Sequence, residues 1–264
     1  MEFDLWGFSS APFLRLPASP FGFALAFFCA AGVFGWLALT AGTFRRLTLR
    51  QWLILFFLLA LAVFLGQTFI LRVPANILPP PGVPFEPQRP GLALFVMLPL
   101  FLAGGWLGVG PALLVGLAAG LSRAVWETYS VITPFEYALL AGLAAWCLRQ
   151  DYRDWPGRLL RQPVVTGFLL GALAWLLLVP SYFAYAATAD LTAWDYVWSQ
   201  TLAGLPVYFA QAALAGVLAA FARVGLPAWW IERRTLRPPP YVSSLNRKLL
   251  FTLVPLFLFG LGLL

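Results

Sequence analysis

The sequence contains no histidine, and only 10% of its 264 residues are charged. A soluble domain carries about 25% charged residues, so the scarcity of charge indicates an integral membrane protein. Without histidine, the chain supplies no imidazole general base, no histidine ligand to a metal and no phospho-accepting histidine. We therefore predict no cofactor and no metal site. We identify no catalytic residues either, so any kinase or cyclase activity would belong to parts of a protein outside this sequence.

Cysteine is scarce as well, and the N-terminus lacks the pattern of a signal peptide. Cys29 and Cys147 lie in different apolar segments, and we interpret both as packing residues without a disulfide. The first 20 residues include Glu2, Asp4 and Arg15. They do not show a basic start followed by a short apolar core.

Apolar runs are abundant, since 61% of the residues are hydrophobic. Each helical crossing of a bilayer needs about 20 such residues. Runs of suitable length lie near residues 20–42, 51–71, 91–109, 111–127, 134–148, 163–184, 197–222 and 249–264. The sequence therefore predicts an all-α fold, a polytopic transmembrane helical bundle with seven spans and an eighth C-terminal span.

The basic residues indicate the orientation of this bundle. Thirteen of the 17 follow the first, fifth and seventh spans, namely Arg45, Arg46, Arg50, Arg149, Arg153, Arg158, Arg161, Arg223, Arg233, Arg234, Arg237, Arg247 and Lys248. Because arginine and lysine accumulate in cytoplasmic loops, we predict that these residues are cytoplasmic and that the N-terminus is outside. The predicted location is a bacterial-type plasma (inner) membrane. The net charge of +7 then implies no nucleic-acid partner.

Residues 91–127 form a glycine-rich apolar segment. No charged residue occurs in it before Arg123. As one helix it would be about 55 Å long, well beyond a bilayer core of about 30 Å. Glycines and a proline at 108–111 permit a turn, which predicts a hairpin of two short spans. Three glycine pairs predict close helix packing: Gly104/Gly108, Gly116/Gly120 and Gly167/Gly171.

Charged and polar residues follow the hairpin at its predicted outer end. Arg123 and Glu127 are four residues apart and share a helix face, Tyr129 lies in the next connection, and Glu136 and Tyr137 open the fifth span. Charge inside a membrane is costly unless it has a partner or a task. One interpretation is a structural ion pair with a snorkelling arginine. The other is an outward-facing pocket in which Arg123 binds a small anion bidentately.

Further polar residues are predicted on the same side. Arg72 and Arg89 flank a proline-rich loop, residues 74–90, either as interfacial anchors or as further ligand contacts. Six more side chains could line the cavity or serve as hydrogen-bond partners between helices: Gln67, Tyr182, Tyr185, Gln200, Tyr208 and Gln211.

Three regions organise the chain. Residues 1–224 form the predicted membrane bundle, 225–248 a basic, proline-rich cytoplasmic linker, and 249–264 the start of a further transmembrane helix. Because the apolar part of that last helix is only 16 residues long, we expect the chain to be the N-terminal part of a longer protein. The tail is similar to the helix that leads into sensor or linker modules of receptor kinases and diguanylate cyclases.

The run Gly104–Arg123, with its glycine–proline turn, followed by Pro134 to Gly142, resembles the five-transmembrane receptor domain of LytS-type sensor kinases. The similarity covers about residues 91–148, roughly a fifth of the chain. It implies that Arg123 matches the family arginine implicated in binding small carboxylates such as pyruvate. It also implies a role in signal transduction, in the manner of two-component systems.

These observations favour a membrane-embedded sensory or receptor module that detects a small, anionic external ligand and signals to C-terminal output domains. Two alternatives stay open: the substrate-binding membrane component of an energy-coupling-factor transporter, and a structural subunit of a membrane complex. The predicted partners are the lipid bilayer, a small carboxylate ligand and, as an option, a second copy of the chain in a homodimer.

Overall fold

The computed structural model describes residues 2–6, 13–72, 78–81, 91–187, 191–230 and 236–237. Arg89, most of the proline-rich loop, most of residues 225–248 and all of residues 249–264 lie outside the described residues. The helices are α1 (Pro20–Phe44), α2 (Leu49–Gly66), α3 (Leu98–Trp106), α4 (Val109–Arg123), α5 (Thr133–Leu148), α6 (Trp155–Leu160), α7 (Pro163–Leu173), α8 (Trp175–Phe183) and α9 (Leu191–Gly225). A π-helical turn, Ala124–Thr128, follows α4, and a 3-10 turn, Pro227–Trp229, follows α9.

Polar caps fix where several of these helices begin. The Ser19 side chain accepts a hydrogen bond from the Gly22 amide at the start of α1. Thr48 and Gln51 form a capping box at the start of α2. Such caps satisfy backbone donors that a helix leaves free at its first turn. Each cap stands directly before an apolar run, so sequence and local structure agree on these starts.

Five of the described helical segments are long and apolar enough to cross a membrane: Pro20–Leu39, Leu49–Gly66, Val109–Thr128, Pro163–Phe183 and Leu191–Gly225. A sixth apolar helix, Thr133–Leu148, is shorter. The prediction of a helical membrane protein is therefore confirmed.

Two predicted spans differ from the helices observed. The span predicted at 91–109 begins with a strand, and its helix, α3, has only nine residues, about 14 Å at 1.5 Å per residue. The span predicted at 51–71 ends as a helix at Gly66 and continues into a strand. In both places, part of the apolar run forms a strand that pairs with a neighbouring strand. The length of an apolar run does not indicate which of its residues will form a strand instead of a helix.

The three strands form a small antiparallel sheet, which the sequence analysis did not predict. They are β1 (Glu2–Trp6), β2 (Thr68–Arg72) and β3 (Gly91–Ala93), in the order β1-β2-β3. Ile70 of β2 is paired with Asp4 on one side and with Ala93 on the other. We call the end of the bundle formed by β2, β3 and residues 127–133 the sheet end.

Arginines gather at the opposite end, which we call the arginine end. Arg223 donates to the Arg161 carbonyl over 3.1 Å, and the Arg50 guanidinium lies over the Trp229 ring at 4.6 Å. The described arginines at this end are Arg45, Arg46, Arg50, Arg149, Arg153, Arg158, Arg161, Arg223 and Arg237. They are nine of the thirteen basic residues that the sequence analysis assigned to one side of the membrane.

The turn between α3 and α4 lies at Gly108, inside the segment where the sequence predicts it. Gly108 has a φ of +119°, a conformation that favours glycine, and a β-carbon there would collide with the Arg149 guanidinium. Beyond the turn, α4 packs closely on α5, with Gly116 against Ala138 and Gly120 against Pro134. This close contact aligns the end of α4 with the start of α5 at the sheet end.

Candidate ligand-binding cavity

A cavity of about 140 Å³ lies at the sheet end, between the end of α4, the start of α5, α8 and α9. An engineered cavity of about 150 Å³ in another protein holds benzene, so this one suits a ligand of about six non-hydrogen atoms. Its lining residues are Arg15, Pro80, Gly91, Arg123, Glu127, Thr128, Tyr129, Ser130, Thr133, Glu136, Leu178, Ser181, Tyr182, Tyr185, Tyr196, Gln200, Gly204, Val207 and Tyr208.

Arg123 is the last residue of α4 and is only 3% exposed. Its Nη2 donates to the Gly91 carbonyl of β3 over 2.5 Å, and its Nη1 donates to the Gly66 carbonyl over 3.4 Å. Its Nε has no hydrogen-bond partner among the described residues. Backbone carbonyls thus fix the guanidinium in place without neutralising its charge.

Glu127 lies in the π-helical turn that extends α4, and it too is buried. Its Oε1 forms an ion pair with Arg72 of β2. Its Oε2 lies 4.0 Å from Arg123 Nη1 and has no hydrogen-bond partner among the described residues. One carboxylate is therefore shared by two guanidiniums.

Tyr129 follows the π-helical turn with a φ of +54°. A non-glycine residue in this left-handed region stores strain that the surrounding structure must hold, and such residues often occur at functional sites. Single π-turns within helices are likewise frequent at functional sites. The Tyr129 carbonyl accepts a hydrogen bond from the Arg15 amide over 2.7 Å, which helps to hold this turn.

Glu136 lies in the first turn of α5, is 4% exposed and lines the cavity. Tyr208 of α9 donates to its Oε2 over 3.1 Å. No arginine of the described part of the chain lies within ion-pair distance of its carboxylate. The neighbouring Tyr137 donates instead to Gln211 Oε1 over 3.1 Å and does not line the cavity.

Four tyrosines form the side of the cavity opposite α4; we call them the tyrosine cluster. They are Tyr182, Tyr185, Tyr196 and Tyr208. The rings of Tyr182 and Tyr196 meet edge to face, with centroids 6.4 Å apart. Burial raises the pKa of Tyr185, so this hydroxyl stays protonated. It donates to the Arg15 carbonyl over 3.2 Å and accepts from the Val131 amide over 2.9 Å.

The N-terminal segment, residues 13–18, crosses the sheet end and brings Arg15 to the cavity. The Phe13 amide donates to the Val125 carbonyl over 3.0 Å, and the Ala18 amide donates to the Ala184 carbonyl over 3.0 Å. The segment therefore joins the end of α4 to the end of α8. The sequence does not indicate Arg15 as a site residue. Arg15 precedes the first span, and no local pattern shows where residues 13–18 pack.

The predicted site residues are only partly brought together. Arg123, Glu127, Tyr129 and Glu136 all line the cavity. Arg72 and Tyr137 are not among its lining residues. Arg72 reaches it indirectly, through its ion pair with Glu127. Tyr137 packs its ring beside that of Tyr208, with centroids 5.6 Å apart, and donates to Gln211.

The six further polar side chains predicted near the cavity are also only partly brought together there. Four of them line the cavity: Tyr182, Tyr185, Gln200 and Tyr208. Gln67 and Gln211 do not, and both serve as hydrogen-bond partners between helices: Gln67 Nε2 donates to the Ser122 carbonyl over 2.7 Å, and Gln211 accepts from Tyr137. Besides Arg15, the sequence analysis also missed Ser181, Tyr196, Gly204 and Val207, which lie within apolar helices and carry no distinguishing spacing.

Among the described residues, no group of three or more acidic or cysteine side chains is placed to hold a metal ion. Comparisons of the chain with protein-family models, with curated proteins and with solved structures gave no match. The similarity to the receptor domain of LytS-type sensor kinases therefore rests on the sequence motifs alone.

Proposed function

We propose that this chain is a membrane-embedded receptor module that takes a small carboxylate-bearing molecule into the cavity at its sheet end. The observation that supports this most is the buried guanidinium of Arg123. It lines a cavity of ligand size, is fixed by two backbone carbonyls and has a buried Nε with no hydrogen-bond partner among the described residues. A carboxylate is the common biological group that pairs with such a guanidinium.

The proposal includes an orientation in a bacterial inner membrane, with seven spans, an eighth at the C-terminus and the N-terminus outside. The nine described arginines of the arginine end support it, because they lie at the end of the bundle opposite the cavity. Under the positive-inside rule the arginine end is cytoplasmic, and the cavity then opens outward. The ligand would thus arrive from outside the cell.

The proposed signal is a change in the packing of α4 on α5. Arg123 and Glu127 extend from the end of α4, whereas Glu136 belongs to α5. A ligand that touches both helices binds one arrangement of the pair more tightly than the others and shifts the population toward it. Since α4 and α5 meet through glycines along their length, a small displacement at the cavity would be carried toward the arginine end.

The test is binding of pyruvate to the purified full chain in detergent, measured by calorimetry and by thermal stabilisation. Pyruvamide, which has the same shape without the negative charge, is the control ligand. We expect pyruvate to bind and pyruvamide not to. Arg123→Gln should weaken pyruvate binding at least tenfold, about 1.4 kcal/mol. Arg158→Gln, a change at the exposed arginine end, should leave it unchanged.

Folding of each variant is checked by size-exclusion chromatography, and Arg123→Lys provides a second variant that keeps the charge but loses the planar fork. The proposal fails if neither pyruvate nor any other small carboxylate stabilises the wild-type chain. It also fails if Arg123→Gln binds pyruvate as tightly as the wild type. Either result would favour the structural-subunit alternative, in which Arg123 and Glu127 are only an ion pair.

A further inference from the structure

The charges around the cavity are separated. On one side, Arg123 lies 4.0 Å from the carboxylate of Glu127, which also pairs with Arg72, and Arg123 Nε has no hydrogen-bond partner among the described residues. On the other side, Glu136 has no guanidinium within ion-pair distance among the described residues. The lining thus presents a positive group and a negative group to the same space, rather than positive charge alone.

Glu136 has hydroxyl neighbours, and no basic side chain of the described residues lies within ion-pair distance of its carboxylate. Tyr208 donates to its Oε2, and Ser181 is a second hydroxyl beside the carboxylate. Removing a carboxylate from water is costly, and hydroxyl donors recover only part of that cost. A cation placed in the cavity would supply the missing partner, whereas an ordinary carboxylate ligand would bring a second negative charge to the same space.

The tyrosine cluster suits the same cationic group. Tyrosine rings attract an ammonium or quaternary ammonium group through their negative faces, and several tyrosines around one cavity are the usual way in which such groups are recognised. Tyr208 links this cluster directly to the Glu136 carboxylate. Aromatic rings and an acidic group therefore adjoin one another. The Arg15 guanidinium already lies over the Tyr185 ring, 5.4 Å from its centroid, so the rings of the cluster left for a ligand's cation are those of Tyr182, Tyr196 and Tyr208.

We propose that the ligand of this cavity is a small zwitterion, whose carboxylate pairs with Arg123 and whose cationic nitrogen lies between Glu136 and the tyrosine cluster. This inference rests on the proposed function, because it names the chemical class of the molecule that the receptor binds. Amino acids and betaines of about six to eight non-hydrogen atoms belong to this class. Such a ligand adds no net charge to the cavity.

The experiment compares zwitterions with analogues in which a carbon replaces the charged nitrogen. The pairs are alanine with isobutyrate, β-alanine with butyrate, and glycine betaine with 3,3-dimethylbutyrate. Each is titrated into the full chain in detergent by calorimetry. We expect at least one zwitterion to bind ten or more times as tightly as its analogue. Alaninamide, which keeps the ammonium but lacks the carboxylate, should bind more weakly than alanine.

Glu136→Gln then tests the residue, since it removes the charge but keeps an oxygen that can accept from Tyr208. We expect the preferred zwitterion to lose at least tenfold in affinity, whereas its carbon analogue binds as well as before or better. Asp195→Asn is the matched control, because Asp195 is an exposed carboxylate of α9 that does not line the cavity. It should leave both affinities unchanged.

Three outcomes overturn the inference. If the zwitterions and their analogues bind equally to the wild type, the cavity takes simple carboxylates, and only the proposed function survives. If Glu136→Gln folds and keeps the preference for the zwitterion, Glu136 is not the partner of the cation. If no compound binds, pyruvate included, the inference and the proposed function fail together. Should Glu136→Gln not fold, the comparison of ligands on the wild type decides alone.

Discussion

Replacement of Gly116 by alanine tests the packing that aligns the two halves of the cavity. Gly116 lies in α4 where that helix touches α5. A β-carbon there would lie 2.6 Å from the Tyr137 carbonyl oxygen, 2.7 Å from Ala138 Cα and 2.8 Å from Ala141 Cβ. Ordinary contact begins at 3.4 Å, so the helices must separate by about 0.8 Å, the difference between 3.4 and 2.6 Å.

The cost of this separation can be estimated. Forcing one extra carbon into a packed interface costs about 1–3 kcal/mol, and two of the three contacts are with backbone atoms that cannot rotate away. Alanine regains up to about 1 kcal/mol through its better helix propensity. We therefore expect Gly116→Ala to lower the free energy of unfolding by about 1–2 kcal/mol.

Gly35→Ala in α1 is the matched control. No atom lies within 4 Å of a β-carbon built at Gly35, so only the gain in helix propensity applies, up to about 1 kcal/mol. The two variants carry the same chemical change and should move stability in opposite directions. Unfolding of the full chain by denaturing detergent, followed by circular dichroism, gives both values.

The reasoning would be refuted if Gly116→Ala were as stable as the wild type, or if both variants lost stability equally. A second readout is ligand affinity, because Glu136 lies on α5 and moves with it. Gly116→Ala should weaken the binding of the preferred ligand several-fold, whereas Gly35→Ala should not change it.

Three further predictions concern the sheet end and the orientation. Glu127→Gln leaves the buried guanidinium of Arg123 and the half-buried one of Arg72 without their shared carboxylate and should lower the free energy of unfolding by about 3–5 kcal/mol; a loss below about 1 kcal/mol would show that the ion pair is dispensable. Tyr185→Phe removes a hydroxyl with two backbone hydrogen bonds and should cost about 1–3 kcal/mol, which thermal unfolding measures against Tyr152→Phe as control. In a cysteine-free background, exposed Arg46→Cys should react with impermeant maleimide only after the cells are opened, and exposed Leu191→Cys should react in intact cells; the reverse pattern would invert the proposed topology.

Several features of the site follow from local sequence. Arg123 and Glu127 are four residues apart on one helical face, and both line the cavity as the spacing indicates. The turn at Gly108 follows from glycines and a proline in a run too long for one crossing. Tyr137, by contrast, adjoins Glu136 in sequence but points to Gln211, because the direction of a side chain depends on how its helix is rotated against its neighbours.

By itself, the sequence determined that this is a helical membrane protein, where several of its helices begin and end, and that its arginines gather at one end. These properties depend on hydrophobicity, charge and capping within one segment at a time. Only the tertiary structure decided that Arg15 and Tyr196 also line the cavity, that a sheet forms at this end of the bundle, and that no arginine of the described residues lies beside Glu136. Those features arise from contacts between residues far apart in the chain, such as Tyr208 with Glu136, 72 residues away, and Tyr185 with Arg15, 170 residues away. Apolar helices with similar sequences can pack in many ways, so their neighbours are fixed by shape complementarity across the whole bundle.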